Sequence, residues 1–176
     1  AAMFFVLYHV PTKSSLFLVE GIVEHATGTS HLDKLSGLAH RAGWLAALFL
    51  LSALSLAGIP PFSGFVAKLG VVTAGIDAGE YVAVAAAILT SLLTLVSMTK
   101  IWTGAFWGPF NEHQPGRVPA TAGAAERADE FAWRVPPAMI VATAGVVAVG
   151  LALAVAAGPI YELCERAALD VLGVAP

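Results

Sequence analysis

The chain has 176 residues, 58% of them apolar and only 12% charged, with a net charge of −3 and a mean hydropathy of +0.81. A soluble domain carries about 25% charged residues to keep its surface wet. This composition therefore excludes disorder, nucleic-acid binding and an ordinary soluble enzyme, and it points to an all-α protein embedded in the lipid bilayer. A single cysteine, Cys164, rules out an internal disulfide and any cysteine-built metal cluster. No metal site and no cofactor is expected.

Residues 1–10 enter a hydrophobic run at once, with no Met at position 1 and no Lys or Arg ahead of it. A signal peptide would need a basic leader and a small-residue cleavage site. The expectation is a chain that begins inside a longer protein and forms its C-terminal part.

A membrane-crossing helix needs roughly 20 mostly apolar residues. Four stretches meet that length: Ala2 to Glu24, Gly43 to Ile76, Tyr81 to Trp107, and Pro136 to Ala157. Long unbroken apolar runs exclude the ten-residue alternation of a membrane β-barrel. The second stretch is too long for one straight crossing and contains Gly58-Ile59-Pro60-Pro61. Two prolines remove two backbone donors and clash with the preceding turn, so the spacing predicts two half-helices, 43–58 and 62–76.

Loop charges decide whether these halves make one crossing or two, because Lys and Arg concentrate on the cytoplasmic side. One broken crossing puts Lys34, Arg41, Arg117, Arg127 and Arg134 on one side and Arg166 on the other. Two crossings split the same residues three to three. The asymmetric arrangement is the expected one: four spans, the second broken at Pro60-Pro61, both long loops cytoplasmic and the C-terminus outside. Residues 111–135 then form a cytoplasmic connector, with room for a short surface helix over Ala120–Trp133. Residues 136–176 hold the last span and a terminal helix over Pro159–Leu172. That helix is expected on the membrane surface or on neighbouring protein, with Ile160, Leu163, Ala167 and Val171 as its apolar face.

Ionisable residues inside a membrane are functional candidates by default, since a charge there costs at least ~2.5 kcal/mol. His9, Lys13, Glu20 and Glu24 of the first span fall within an arc of about 60° at helical spacing. Phe4, Leu7, Leu18 and Ile22 lie opposite. So narrow a polar stripe is expected to face protein or trapped water. Pro11 lies between His9 and Lys13 and is expected to loosen the helix there. Glu24 also sits where a helix exit would be.

Lys68 is the sharpest feature. It follows the double proline by seven residues, and no acidic residue lies within a turn of it. Its partner must come from another helix, and desolvation makes its ammonium form costly. Broken helices expose unpaired backbone groups at mid-membrane depth, where ion sites are commonly built. The third span carries Thr90, Thr94 and Ser97 on one face, with Lys100 near its cytoplasmic end. The hydroxyls are candidates for holding water beside Lys68, or for bonding the carbonyl one turn back. Snorkelling is the competing explanation for Lys100.

Several strings resemble one family. Residues 9–18, HVPTKSSLFL, resemble the His-x-x-x-Lys helix of the antiporter-like subunits shared by respiratory complex I, membrane-bound hydrogenases and Mrp-type cation/proton antiporters. Residues 24–29, EHATGT, with 35–38, LSGL, resemble the connector after that helix. Residues 54–68, LSLAGIPPFSGFVAK, are similar to the family's broken helix with its central lysine, and residues 97–107, SMTKIWTGAFW, to the Mrp-type branch. The likeness covers residues 1–110; the tail matches in hydropathy only.

The resemblance implies helices eleven to fourteen of a fourteen-helix subunit, with residues 1–110 forming the second half-channel. It implies proton transfer through Lys68, Lys13 and His9, with Glu20, Glu24, Lys100, Thr94 and Ser97 as further relay or supporting residues. The helix break is placed at Gly58, Pro60 and Pro61. It further implies a transporter subunit of the plasma membrane rather than an enzyme. Its partners would be other membrane subunits, H+ and Na+. An oxidoreductase subunit of the complex I or hydrogenase type is the alternative, and a non-transporting scaffold is a third.

Overall fold

The computed structural model describes residues 1–32, 35–107 and 135–173. Among them are seven α-helices: α1 (Ala2–Thr27), α2 (Leu38–Arg41), α3 (Gly43–Ala57), α4 (Ser63–Asp77), α5 (Tyr81–Ile101), α6 (Pro137–Val155) and α7 (Ala157–Leu172). A π-helical turn, Trp102–Phe106, extends α5. The expected surface helix at 120–133, together with Lys34, Arg117, Arg127 and Arg134, lies outside the described residues.

Among the described residues three helices are long and apolar enough to cross a membrane: α1, α5 with its π turn, and α6. The break between α3 and α4 falls where the prolines predict it. The last turn of α3 closes on Gly58, whose φ of 83° is in the left-handed region. The Gly58 N–H donates back to the Leu54 and Ser55 carbonyls. The chain then turns through 59–62 and restarts at Ser63 from an extended Phe62. Each half has 15 residues, or ~22 Å at helical rise, short of the ~30 Å hydrocarbon core.

Packing shows that the two halves run in series as one crossing. One core cluster joins the start of α3 (Leu45, Ala46, Phe49) to the second half of α1 (Val19, Ile22, Val23) and to Ala105 and Phe106 beyond α5. The other joins the start of α1 (Phe4, Tyr8) to Ala67 of α4 and Ala157 of α7. The broken segment thus enters at one end of α1 and leaves at the other. A separate return crossing by α4 would have placed Ala67 in the first cluster.

Hydroxyls lie between the two clusters. Ser15 Oγ donates to Ser52 Oγ at 2.7 Å, with the Thr12 carbonyl at 2.8 Å as alternative acceptor. Ser52 Oγ donates to the Leu48 carbonyl at 2.9 Å. Small and hydroxylated residues allow close helix approach in lipid, where apolar burial gives no drive. Gly64 is such an approach: a Cβ there would run into the Ser55 carbonyl and lie 3.1 Å from Tyr8 Cε2.

Helix α7 differs from its expected placement. It begins two residues earlier, directly after α6, and packs through Ala157, Ile160, Tyr161 and Cys164. Tyr161 meets Phe4 edge-on at 5.6 Å and lies against Gly70 of α4. Leu163 and Val171, expected on the apolar face, are 65% and 76% exposed and so remain free for the membrane surface or neighbouring protein. The small Ala157 and the reach of Tyr161 decide the contact, and the stronger apolar residues are turned outward. Helix α5 has no buried residue, and its Leu89, Leu92, Leu93 and Val96 face away from the chain.

Candidate functional site

Among the described residues Lys68 has no carboxylate partner. Its Nζ donates to the carbonyls of Leu56 at 2.9 Å and Ala57 at 2.8 Å. These are the terminal carbonyls of α3, which a continuous helix would have bonded to the next turn. The prolines remove those donors, and Lys68 supplies two of its own. The same end carries the negative pole of the α3 dipole, which favours a cation. The sequence points to a partner from another helix; the partners described are backbone carbonyls of the preceding half of the same broken crossing. Gly58 lets the lysine stem reach it, because a Cβ at that position would lie 2.7 Å from Lys68 Cδ.

His9 sits half-buried on α1, within electrostatic range of both Lys13 and Lys68. Its ring stacks on Phe5 at 5.2 Å and meets Tyr8 edge-on at 5.7 Å. His9 Nδ1 is buried and makes no hydrogen bond. Pro11 is accommodated within an uninterrupted α1.

The rest of the polar stripe is turned outward. Lys13, Glu20 and Glu24 are exposed, so the described residues do not cover the stripe. The buried face of α1 is its neighbour, carrying Tyr8, Thr12, Ser15, Val19 and Ile22. Lys13 and Glu20 border a groove of about 510 Å³ whose other walls include Phe49, Leu56, Met98 and Phe106.

The hydroxyls of α5 bond within their own helix: Thr90 donates to the Ala86 carbonyl and Thr94 to the Thr90 carbonyl, both at 2.8 Å. Back-bonding to the preceding turn accounts for both of them. Ser97 and Lys100 are exposed. No group of three or more His, Cys, Asp or Glu residues placed to hold a metal occurs among the described residues.

Two features escaped the sequence reading. Tyr8 is 1% exposed and borders the break through Gly64 and Ala67. Ser55 and Ser63, on either side of the prolines, are both buried, with their hydroxyls 3.4 Å apart. The spacing of Tyr8, Thr12, Ser15 and Val19 is itself a helical stripe, masked by the charged one beside it.

Known proteins are similar to this chain. The D-type subunit of the Na(+)/H(+) antiporter of Alkalihalophilus pseudofirmus is 44% identical over 107 residues, covering 61% of this chain and 22% of that protein. Its Bacillus subtilis counterpart, also a D-type Na(+)/H(+) antiporter subunit, is 40% identical over 111 residues, covering 63% and 22%. A chain in the structure of the Mrp complex from Dietzia sp. matches 95% of this chain at 36% identity with a TM-score of 0.77, and this chain covers 36% of it. The chain therefore spans about a fifth of the length of these curated relatives. The family described as NADH:quinone oxidoreductase/Mrp antiporter, transmembrane, matches residues 1–94, more than half the chain. With its apolar spans, its broken helix and this match, the chain is a multi-pass membrane protein that belongs to the NADH:quinone oxidoreductase/Mrp antiporter family.

Proposed function

We propose that the chain is a proton-translocating segment of the D-type subunit of a multisubunit Na+/H+ antiporter, moving protons through Lys68, His9, Lys13 and water. The observation that carries this reading is the seat of Lys68 on the carbonyls of Leu56 and Ala57 at the helix break. A protonated amine has three N–H donors. Two are held by the carbonyls, and the third is the proton to hand on. The carbonyls and the α3 dipole favour the charged form, while low dielectric disfavours it. Opposed terms of this kind suit a group that must both load and release.

In this relay His9 and water connect the two lysines, and the charges of both act on His9. The groove beside Lys13 and Glu20 is the place where water or a neighbouring helix completes the path. The relatives' names support a transporter subunit assembled with other antiporter subunits, rather than an enzyme.

The test is Lys68→Arg in the full complex, assayed in everted vesicles with a ΔpH-sensitive dye. Guanidinium keeps the charge and does not deprotonate in proteins. Exchange falls to background if Lys68 carries the proton. Wild-type exchange would mean that only a fixed charge is needed. The orientation belongs to the same proposal: residues 28–42 face the cytoplasm and the end of α7 faces outside. With Cys164 replaced by Ser, Gly173→Cys should label from outside and Thr29→Cys only from inside. Labelling of both from one side would refute this topology. The family description also names NADH:quinone oxidoreductase. Flavin or iron–sulfur absorbance in the purified complex would favour that reading over the antiporter.

A further inference from the structure

Tyr8 is almost fully buried, yet its hydroxyl makes no hydrogen bond. Buried polar side chains nearly always have a partner, protein or ordered water. Its location gives the orphan meaning. The ring edge lies against Gly64, which itself packs on the Ser55 carbonyl, and Ala67 lies in the same cluster. The phenol therefore reaches the break between α3 and α4, one turn before Lys68. On its own helix Tyr8 meets His9, whose Nδ1 is the other buried atom without a partner among the described residues.

Two orphaned polar atoms thus sit on successive residues, one on the proposed relay histidine and one on the tyrosine that packs against the break. We infer that Tyr8 is a positioning residue of the relay, its hydroxyl sharing one water with His9 Nδ1 at the edge of the helix break. This inference rests on the proposed relay. A hydroxyl both donates and accepts, and a neutral imidazole has one nitrogen of each kind. A bond at Nδ1 selects the tautomer and fixes the ring, leaving Nε2 for the lysines. Phe5, stacked on the other side of the imidazole, holds the same orientation by packing.

The experiment is Tyr8→Phe in the complete antiporter complex, which removes one oxygen and keeps the ring. Exchange is measured in everted vesicles across a range of cation concentrations, and normalised to assembled complex on native gels. The expected result is a fall of about tenfold in maximal rate at an unchanged half-saturating cation concentration, with the thermal unfolding midpoint unchanged or lower. A wild-type rate would overturn the assignment. So would a raised midpoint without loss of rate, the signature of an orphan hydroxyl in a purely structural core. If Phe lowers assembly, the rate per assembled complex decides by the same criterion. Lys68→Arg in parallel separates the two ideas. Exchange in that variant sinks the relay itself, whereas silence there with full exchange in Tyr8→Phe sinks only the role of Tyr8.

Discussion

Lys68 and Lys13 occupy the same apolar bundle and solve the same problem in opposite ways. Lys68 is half-buried and held by two carbonyls that the Pro60-Pro61 break sets free. Lys13 stands exposed on an unbroken helix, beside a groove that the described residues leave open. The difference lies in the backbone. An intact helix uses its own carbonyls and offers an ammonium nothing, whereas a broken one has acceptors to spare at its C-terminal end. A lysine can therefore be built into this segment only at the break. Any other must find partners beyond it.

The largest expected effect comes from removing the held lysine. Lys68→Ala leaves the Leu56 and Ala57 carbonyls without donors at a buried helix end, a cost of about 1–3 kcal/mol. Exchange should fall to the vesicle background and the thermal midpoint of the complex should drop. From sequence alone the lysine reads as an unpaired buried charge, whose deletion is harmless or stabilising. An unchanged midpoint would restore that reading and remove the capping role.

Gly58→Ala sharpens the same half of the comparison without touching the amine. A Cβ there meets Lys68 Cδ at 2.7 Å and Cε at 3.2 Å, on a residue with φ of 83°. The left-handed backbone alone costs about 1–2 kcal/mol for a residue with a side chain. The lysine must also move from its carbonyls. Exchange per complex should fall by about tenfold in the dye assay with Lys68 still present. Full exchange would show that the reach over Gly58 is dispensable.

Lys13→Ala addresses the other half. An exposed side chain contributes little to the fold, so the unfolding midpoint should stay within the equivalent of about 0.5 kcal/mol. Exchange should fall several-fold, because one proton-carrying group of the proposed relay is gone. A loss of stability as large as that of Lys68→Ala would erase the distinction between held and free lysine.

Much of this contrast was legible in the sequence. The prolines placed the break, and the loop charges chose one crossing over two; the packing of α3 and α4 at opposite ends of α1 supports that choice. The isolation of Lys68 from acids was equally visible. Its carbonyl partners were not, because a sequence shows which side chains are near but not which backbone oxygens a break leaves unpaired. The charged stripe of α1 was identified, yet the chain packs the hydroxyl stripe beside it. Neutral hydroxyls satisfy themselves on the preceding turn and can be buried, while charges cannot. The inner contact of the terminal helix was not legible either. It is governed by the fit of Ala157 and Tyr161 against α1 and α4, a matter of shape that apolar periodicity does not encode.

The smallest effect tests whether the two stripes of α1 are truly separate. Ser15 lies on the packed stripe and is 2% exposed. Its hydroxyl bonds Ser52 across the α1–α3 interface, while Ser52 keeps its own bond to the Leu48 carbonyl. Ser15→Ala removes one such bond and leaves no charge stranded, so the cost should be about 1 kcal/mol. The alternative acceptor, the Thr12 carbonyl, is a backbone oxygen already within a helix, so little is left unsatisfied. The midpoint of thermal unfolding should fall slightly, and exchange per assembled complex should stay at the wild-type rate. A drop in rate at unchanged stability would mean that protons or cations also use the hydroxyl stripe. The division of α1 into a structural face and a transporting face would then have to be abandoned.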